Sequence, residues 1–386
     1  VSFPKIGVIG GGQLARMMAP EALNLGFELH VLAEGPDVSA ARSVPDAPVG
    51  DYKDLETLRE FAKGKDVVTF DHEHVPNEFL TTLINEGVNI QPRPAALIHA
   101  QDKLVMRAAI EKLGLPNPEW AKVEDVEQLV AFGEKIGWPI VLKTPRGGYD
   151  GKGVRILDSA DDARDSADWF TNGALLAEDK VDFSRELSAL VARTPSGEAK
   201  AWPVVHTIQV DGVCDEVIAP AQDISDETAK TAADAALRIA EEFGVTGVMA
   251  AELFETPGVG AGFVINELAM RPHNTGHWTM NGSVTSQFEQ HLRAVLDLPL
   301  GETRELGVTV MKNYLGGANQ DLFSSFAAAL AAAPEVKVHA YGKSVRPGRK
   351  IGHVNVVGNN GETVDELRAK ADQVAALIRD GVPAEA

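Results

Sequence analysis

Cysteine is nearly absent: Cys214 stands alone in 386 residues, so neither an internal disulfide nor a thiolate metal cluster can form. A lone thiol of this kind reads as a small packing residue, not a nucleophile. Long apolar runs are also missing. No stretch approaches the ~18 consecutive apolar residues of a membrane span. The opening VSFPKIGVIGGGQ runs straight into a strand and a glycine turn, which leaves no room for a signal peptide. Together these absences predict a cytoplasmic protein with no membrane partner. Basic residues are outnumbered, 36 against 56 acidic, for a net charge of -20. Nucleic acid is thereby argued against as a partner, because a polyphosphate backbone demands a basic footprint. A single nucleotide needs only a few local cations, and the acidic surplus reads as a solubility feature.

The length permits two or three domains with buried cores. The first segment alternates strand and helix like a doubly wound parallel sheet. Strands are expected at Lys5–Ile9, 28–33 and Val67–Phe70, with a helix at Gln13–Leu25 closed by Gly26. The last strand ends at the polar cluster Asp71-His72-Glu73-His74, and ligands in open α/β sheets sit beyond such carboxyl ends. Pro92 and Pro94 mark a change of pattern. Helices are expected at 102–113, 225–243 and 364–378, and strands at 139–144, Val154–Leu157, 174–178, 186–192, 248–254, 263–268, 308–311, 336–340 and 353–356.

The turn GGGQLA fits the G-x-G-x-x-A form of a dinucleotide fingerprint, with Glu34 where a ribose-binding acid would sit. Alone it would suggest a NAD-dependent oxidoreductase, but tight strand–helix turns need glycine whether or not they bind anything. Residues 143–153, KTPRGGYDGKG, say more. Four glycines free backbone amides for phosphate oxygens, and Lys143, Arg146 and Lys152 supply charge. The pattern is not a P-loop, since Lys152 is followed by Gly153. A flexible hairpin would explain the glycines but not Lys143 at the end of an apolar strand, where an unpaired ammonium is costly. A phosphate partner would remove that cost.

Glu252 and Glu267 each interrupt an apolar strand-like run. Two buried acids on neighbouring strands repel unless a divalent cation lies between them, and magnesium with nucleotide phosphates is the natural candidate, with Asn266 in support. Edge-strand acids facing water would account for the pair equally well. Directly afterwards, Arg271-Pro-His-Asn-Thr-Gly-His-Trp278 gathers groups suited to a small planar anion. A basic turn, Lys343-Ser-Val-Arg-Pro-Gly-Arg-Lys350, inverts the local sign of an acidic chain. It reads either as a solvated charge run or as a dock for a second substrate's phosphate.

With GGGQLARMM, DHEHV at 71–75, GGYDGKG at 147–153, INELAMRPHNTGHWT at 265–279 and VRPGRKIGHVN at 345–355, the whole chain resembles the ATP-grasp superfamily. Within it, the chain is similar to the 5-(carboxyamino)imidazole ribonucleotide synthase family of bacterial purine biosynthesis. The resemblance implies an α/β and α+β architecture: a Rossmann-like domain over 1–100, an ATP-grasp small subdomain over 101–185, a large subdomain over 186–300, and a C-terminal mixed β domain over 301–386. It implies that ATP phosphorylates bicarbonate to carboxyphosphate, which carboxylates aminoimidazole ribonucleotide. Lys103 and Lys143 would then hold phosphates under a closing loop of Gly148, Tyr149, Asp150, Gly151, Lys152, Gly153 and Val154. Glu178, Asp179, Lys180 and Val181 would line the adenine pocket, Glu186 would take the ribose, and His206 matches another nucleotide position. Glu252 and Glu267 would bind magnesium beside Asn266. Arg271, His273 and Asn274 match the bicarbonate site, and Glu73, Tyr149, Lys152, Lys343 and Arg349 the ribonucleotide site. A homodimer is implied too. Lys103, Arg185 and Asp71-His72 depart from the arginine, glycine and acid–aliphatic pair expected at their positions. A sister enzyme, the formate-dependent glycinamide ribonucleotide transformylase, shares the R-P-H-x-T-G signature and is the nearest rival.

Overall fold

The computed structural model describes residues 3–148, 153–359 and 361–381. Near the N-terminus, Lys5–Ile9 pairs in parallel with Glu28–Leu32 on one side and Val67–Phe70 on the other. Parallel strands are buried on both faces, which is why they read as nearly continuous apolar runs. Gly10 has φ +105° at the turn into the helix Gln13–Leu25, and Gly26 closes that helix at φ +75°, a left-handed conformation that side chains disfavour.

A second sheet is antiparallel, in the order Trp120–Val123, Leu175–Asp179, Ile140–Lys143, Val154–Leu157. The last two strands flank the glycine-rich segment. Ile140, Leu142, Leu175 and Ala177 form its core with Leu129 and Phe132 of the helix Val126–Ile136.

The third sheet is the spine of the molecule. Its order is Phe263–Ala269, Gly247–Glu255, Arg185–Arg193, Val205–Val210, Val213–Ala219, Thr309–Leu315, Lys350–Val357, Lys337–Ala340, with Ala199–Ala201 paired to Arg185–Arg193. All these pairings are antiparallel. The helix Asp226–Glu242, capped by the Ser225 hydroxyl, packs against Arg185–Arg193. One apolar cluster runs from Val68 and Phe70 of the first sheet to Leu187, Met249 and Ile265 of the third, so the N-terminal unit shares a core with the spine. Among the described residues no helix is long and apolar enough to cross a membrane.

The expected elements differ from the observed ones mainly at their ends. The helix expected at 102–113 is Lys103–Lys112, because Asp102 is its cap. The helix expected at 364–378 runs Val364–Asp380, opened by a capping box between Thr363 and Glu366.

Candidate active site

The Asp102 carboxylate accepts from the backbone N–H of Leu104 (3.0 Å) and Val105 (3.2 Å), and so starts a helix with Lys103 in its first turn. Lys103 pairs with Glu267. One turn on lies Arg107, 1% exposed. Its guanidinium donates to Glu178, to the carbonyls of Ile265 (2.7 Å) and Asn266 (2.8 Å), and to Asn117 Oδ1 (3.1 Å). Lys143 ends its strand with Nζ 2.6 Å from Glu178 Oε2 and 3.3 Å from Asn266 Oδ1. Burial pushes the Glu178 pKa up, but Lys143 and Arg107 together outweigh it, and the net shift is downward. The cost argued for a buried Lys143 is therefore already met by Glu178. A phosphate is not needed to explain that lysine.

Glu252 and Glu267 stand directly opposite each other across adjacent strands, with a register shift just after Glu252. Their side chains are 25% and 40% exposed, so they line a cleft and are not sealed in the core. Like charges in opposed positions repel, and each has its own counter-group: Lys103 for Glu267, and His273 Nε2 at 3.0 Å from Glu252 Oε1. Burial raises the Glu252 pKa, and His273, Lys350 and Arg271 bring it below the usual carboxylate value. Among the described residues no cluster of three or more His, Cys, Asp or Glu could hold a metal by itself. This all-oxygen pair fits a hard divalent ion that takes its remaining ligands from phosphate and water.

Beyond this pair, Arg271 Nε donates to Glu73 Oε2 at 2.8 Å, while Glu73 Oε1 accepts from the Met270 N–H at 3.1 Å. Glu73 follows the strand Val67–Phe70, so the first sheet aims the guanidinium. Burial lowers the Arg271 pKa, and Glu73 more than reverses this. Both polar atoms of the Asn274 amide are buried without a hydrogen-bond partner among the described residues. An unsatisfied buried amide is expensive, and it marks a place where a ligand is expected. Glu186 has its pKa pushed up to about 7 by burial and by Glu252, against a hydrogen bond from Gln209.

Most of these groups face one cleft of about 1160 Å³, with Arg107 buried behind its wall. Of the residues singled out from the sequence, Glu73, Lys103, Lys143, Gly148, Val154, Glu178, Asp179, Lys180, Val181, Glu186, Glu252, Asn266, Glu267, Arg271, His273 and Asn274 line it. Gly153, with φ +73°, directly precedes the lining residue Val154, and its carbonyl accepts from the Thr144 N–H at 2.9 Å. Tyr149, Asp150, Gly151 and Lys152 lie outside the described residues. His206 is half-buried near Arg185, Arg368 and Glu255 and is not in the lining.

Lys343 and Arg349 are not in the lining either. Lys343 reaches Gln13 and lies 5.6 Å from the Tyr341 ring centre, with burial and Arg349 lowering its pKa to about 8. Arg349 donates to Ser344 Oγ at 2.7 Å. From that basic turn it is Lys350 that lines the cleft. Sequence reading also missed Arg107 and Gln209. The signal for Arg107 was a charge one helical turn from Lys103 between apolar Met106 and Ile110. Cys214 is 7% exposed within the core, and burial lifts its thiol to about 12, in keeping with a packing role.

The N-terminal glycine turn is filled by the protein's own acids. Glu34 Oε2 accepts from the Gly11 N–H at 2.9 Å, and Asp71 accepts from Gly12 and Ala15, both at 2.8 Å. A dinucleotide pyrophosphate would have to displace these carboxylates from the helix N-terminus. That physical competition counts against the NAD reading.

Three family models match consecutive parts of the chain: a ribonucleotide synthetase preATP-grasp domain over 3–101, an ATP-grasp domain over 108–288, and a phosphoribosylaminoimidazole carboxylase C-terminal domain over 309–367. The N5-carboxyaminoimidazole ribonucleotide synthase of Mycobacterium tuberculosis is 49% identical over 384 residues, covering 98% of this chain and 88% of that one. The crystal structure of the Thermus thermophilus N5-carboxyaminoimidazole ribonucleotide synthetase superposes with a TM-score of 0.87 at 34% identity, covering 98% of this chain and 100% of that one. The Aspergillus clavatus N5-carboxyaminoimidazole synthase, in complex with ADP and 5-aminoimidazole ribonucleotide, superposes with a TM-score of 0.87 at 31% identity, covering 97% of this chain and 98% of that one.

Proposed function

The chain belongs to the N5-carboxyaminoimidazole ribonucleotide synthase family of ATP-grasp ligases, and on that premise we propose that it carboxylates 5-aminoimidazole ribonucleotide in purine biosynthesis, using ATP and bicarbonate. One observation carries the reading: two acids opposed on neighbouring strands share a cleft with two lysines and an Arg-Pro-His-Asn turn.

In this reading Lys103 and Lys143 exchange their glutamates for the triphosphate. The adenine lies along Glu178, Asp179, Lys180 and Val181, and Glu186 takes the ribose. Glu252 and Glu267, with Asn266 beside them, would hold magnesium, which when bound neutralises phosphate charge. Arg271, already oriented by Glu73, presents a planar fork to bicarbonate, and Asn274 finds there the partners its amide lacks. A bicarbonate oxygen bonds to the γ-phosphorus as the bond to the β,γ-bridging oxygen breaks, so ADP leaves and carboxyphosphate forms. The exocyclic amine then attacks the carboxyphosphate carbon, inorganic phosphate departs and a proton is lost from nitrogen. Positioning and charge neutralisation do this work, and no covalent nucleophile is required. Carboxyphosphate hydrolyses readily, which gives the glycine-rich segment a purpose as a cover that excludes water. Glu73, Lys343 and Arg349, with Tyr149 and Lys152, are assigned to the ribonucleotide.

Phosphate release is the test. It is expected with ATP, bicarbonate and aminoimidazole ribonucleotide together, and not with formate and glycinamide ribonucleotide. The reverse preference would move the chain to the sister transformylase. A homodimer is expected as well, and light scattering at twice the chain mass checks it.

A further inference from the structure

The RPHN turn has a second anchor that lies outside the cleft. Gln287, fully buried, opens the helix Gln287–Val295. Its Oε1 accepts from the His273 N–H at 2.8 Å. Its Nε2 donates to the His273 carbonyl at 2.7 Å and to His277 Nδ1 at 2.9 Å. A primary amide is the one neutral side chain that offers an acceptor and a two-hydrogen donor side by side. Its orientation is not ambiguous, because the His273 N–H can only donate. His277 Nδ1 therefore accepts, and the ring carries its proton on Nε2. Gly276 is part of the same fit: a Cβ there would fall on the Gln287 amide, 2.7 Å from its carbon.

The two histidines lead in opposite directions. On the cleft side, His273 Nδ1 lies 2.9 Å from Thr275 Oγ1, which is 2.8 Å from Ser188 Oγ, and the ring turns Nε2 towards Glu252 at 3.0 Å. On the far side, the His277 ring stacks on His353 at 4.9 Å, and the Asn355 amide donates to the His277 carbonyl at 3.0 Å. His353 and Asn355 belong to the C-terminal strand Lys350–Val357.

We propose that Gln287 is a positioning residue for the bicarbonate step: it holds both backbone polar groups of His273 and ties that residue, through His277, to the C-terminal strands. It touches neither substrate nor metal and acts only through the turn. This inference rests on the functional reading above, in which His273 belongs to the bicarbonate site.

The molecule supplies its own control. Gln290 lies on the same helix, is equally buried, and clamps Gly301 in the same way, accepting from its N–H at 2.7 Å and donating to its carbonyl at 3.0 Å. Gln287→Met and Gln290→Met each remove one such clamp at nearly constant volume. Both variants should lose thermal stability to a similar extent. Only Gln287→Met should raise the KM for bicarbonate, by roughly 10- to 100-fold for a displacement of about 1 Å, with the KM for ATP within about twofold of wild type. Should Gln287→Met not fold, Gln287→Glu keeps the acceptor for the His273 N–H and reads the same split. Equal bicarbonate KM values in the Gln287 and Gln290 variants would overturn the proposal. A wild-type chain whose ATP cleavage ignores bicarbonate would instead overturn the functional reading itself, and the role of Gln287 with it.

Discussion

Four carboxylates that face the cleft already have a cationic or imidazole partner: Glu267 has Lys103, Glu178 has Lys143, Glu73 has Arg271 and Glu252 has His273. On the proposed function a triphosphate would have to compete with Glu267 for Lys103, and a divalent ion on Glu267 would free the lysine. Replacing Glu267 with Gln should lower turnover by roughly 100-fold or more, the scale for losing a preorganised electrostatic partner. The same variant should bind magnesium-free ADP at least as tightly as wild type when titrated calorimetrically in chelator. Weaker binding would mean that Glu267 does not compete for Lys103. Lys343 allows a test by pH. Its folded value of about 8 lies below the ordinary 10.5, because burial disfavours the ammonium. Below about pH 8 both folded and unfolded chains hold the proton, so the cost is fully present. As pH rises from 8 towards 10.5 the folded state sheds the proton first, and the cost fades. Lys343→Met should therefore be more stable than wild type at pH 7, by up to about 3 kcal/mol, and the gain should vanish near pH 10.5 in urea unfolding. If Lys343 serves the ribonucleotide as proposed, the variant should also bind that substrate more weakly, since gains in stability at a site are commonly met by lost function. The residue types at this site were legible because acids and lysines inside apolar runs violate the local pattern. Gln287 violates nothing, and only the tertiary structure reveals its partners.

At the scale of elements, the helix Lys103–Lys112 joins the two halves of the cleft through one buried side chain. Arg107 pairs with Glu178 on the second sheet and caps two carbonyls of the strand Phe263–Ala269 on the third. Removing one partner of a buried ion pair leaves the other charge stranded, at about 3–5 kcal/mol. Lys143 still faces Glu178, so Arg107→Met should cost nearer 2–4 kcal/mol by urea unfolding at pH 7. A loss below about 1 kcal/mol, the scale of an exposed pair, would sink that account. The helix was readable in the sequence from Gly114 and Pro116 after it, whereas Asp102 was read as its first residue and is its cap. The hairpin of Val205–Val210 and Val213–Ala219 was not read, though its signal was present. Asp211 and Gly212, with φ +52° and +75°, form the Asp-Gly turn that such hairpins favour. The strands carry polar residues at Gln209, Asp215 and Glu216, which broke the apolar alternation that would have revealed them.

On the scale of the whole molecule, the resemblance implied a C-terminal domain from residue 301, and the hydrogen bonding of one sheet runs through that boundary. Val213–Ala219 pairs with Thr309–Leu315, with Val217 opposite Met311 and Ile218 opposite Val310, nearly all of it buried. Glu216, 1% exposed, depends on Arg368 at 2.6 Å from the terminal helix, while Lys312 bridges Asp215 (2.6 Å) and Asp372 (2.9 Å). No local pattern encodes a register between strands some ninety residues apart, and so this join could not be read from the sequence. A chain ended at residue 300 would bare an apolar sheet edge, leave the buried Glu216 without its cation, and remove His353 and Asn355 from behind the RPHN turn. Such a fragment should be insoluble or unfolded, because an open sheet edge templates aggregation. In the intact chain, calorimetry should show no separate transition for residues 301–381. A soluble 1–300 fragment with native-like circular dichroism and nucleotide binding would show that the spine is two independent sheets laid edge to edge. The C-terminal strands would then serve only the ribonucleotide and not the placement of His273.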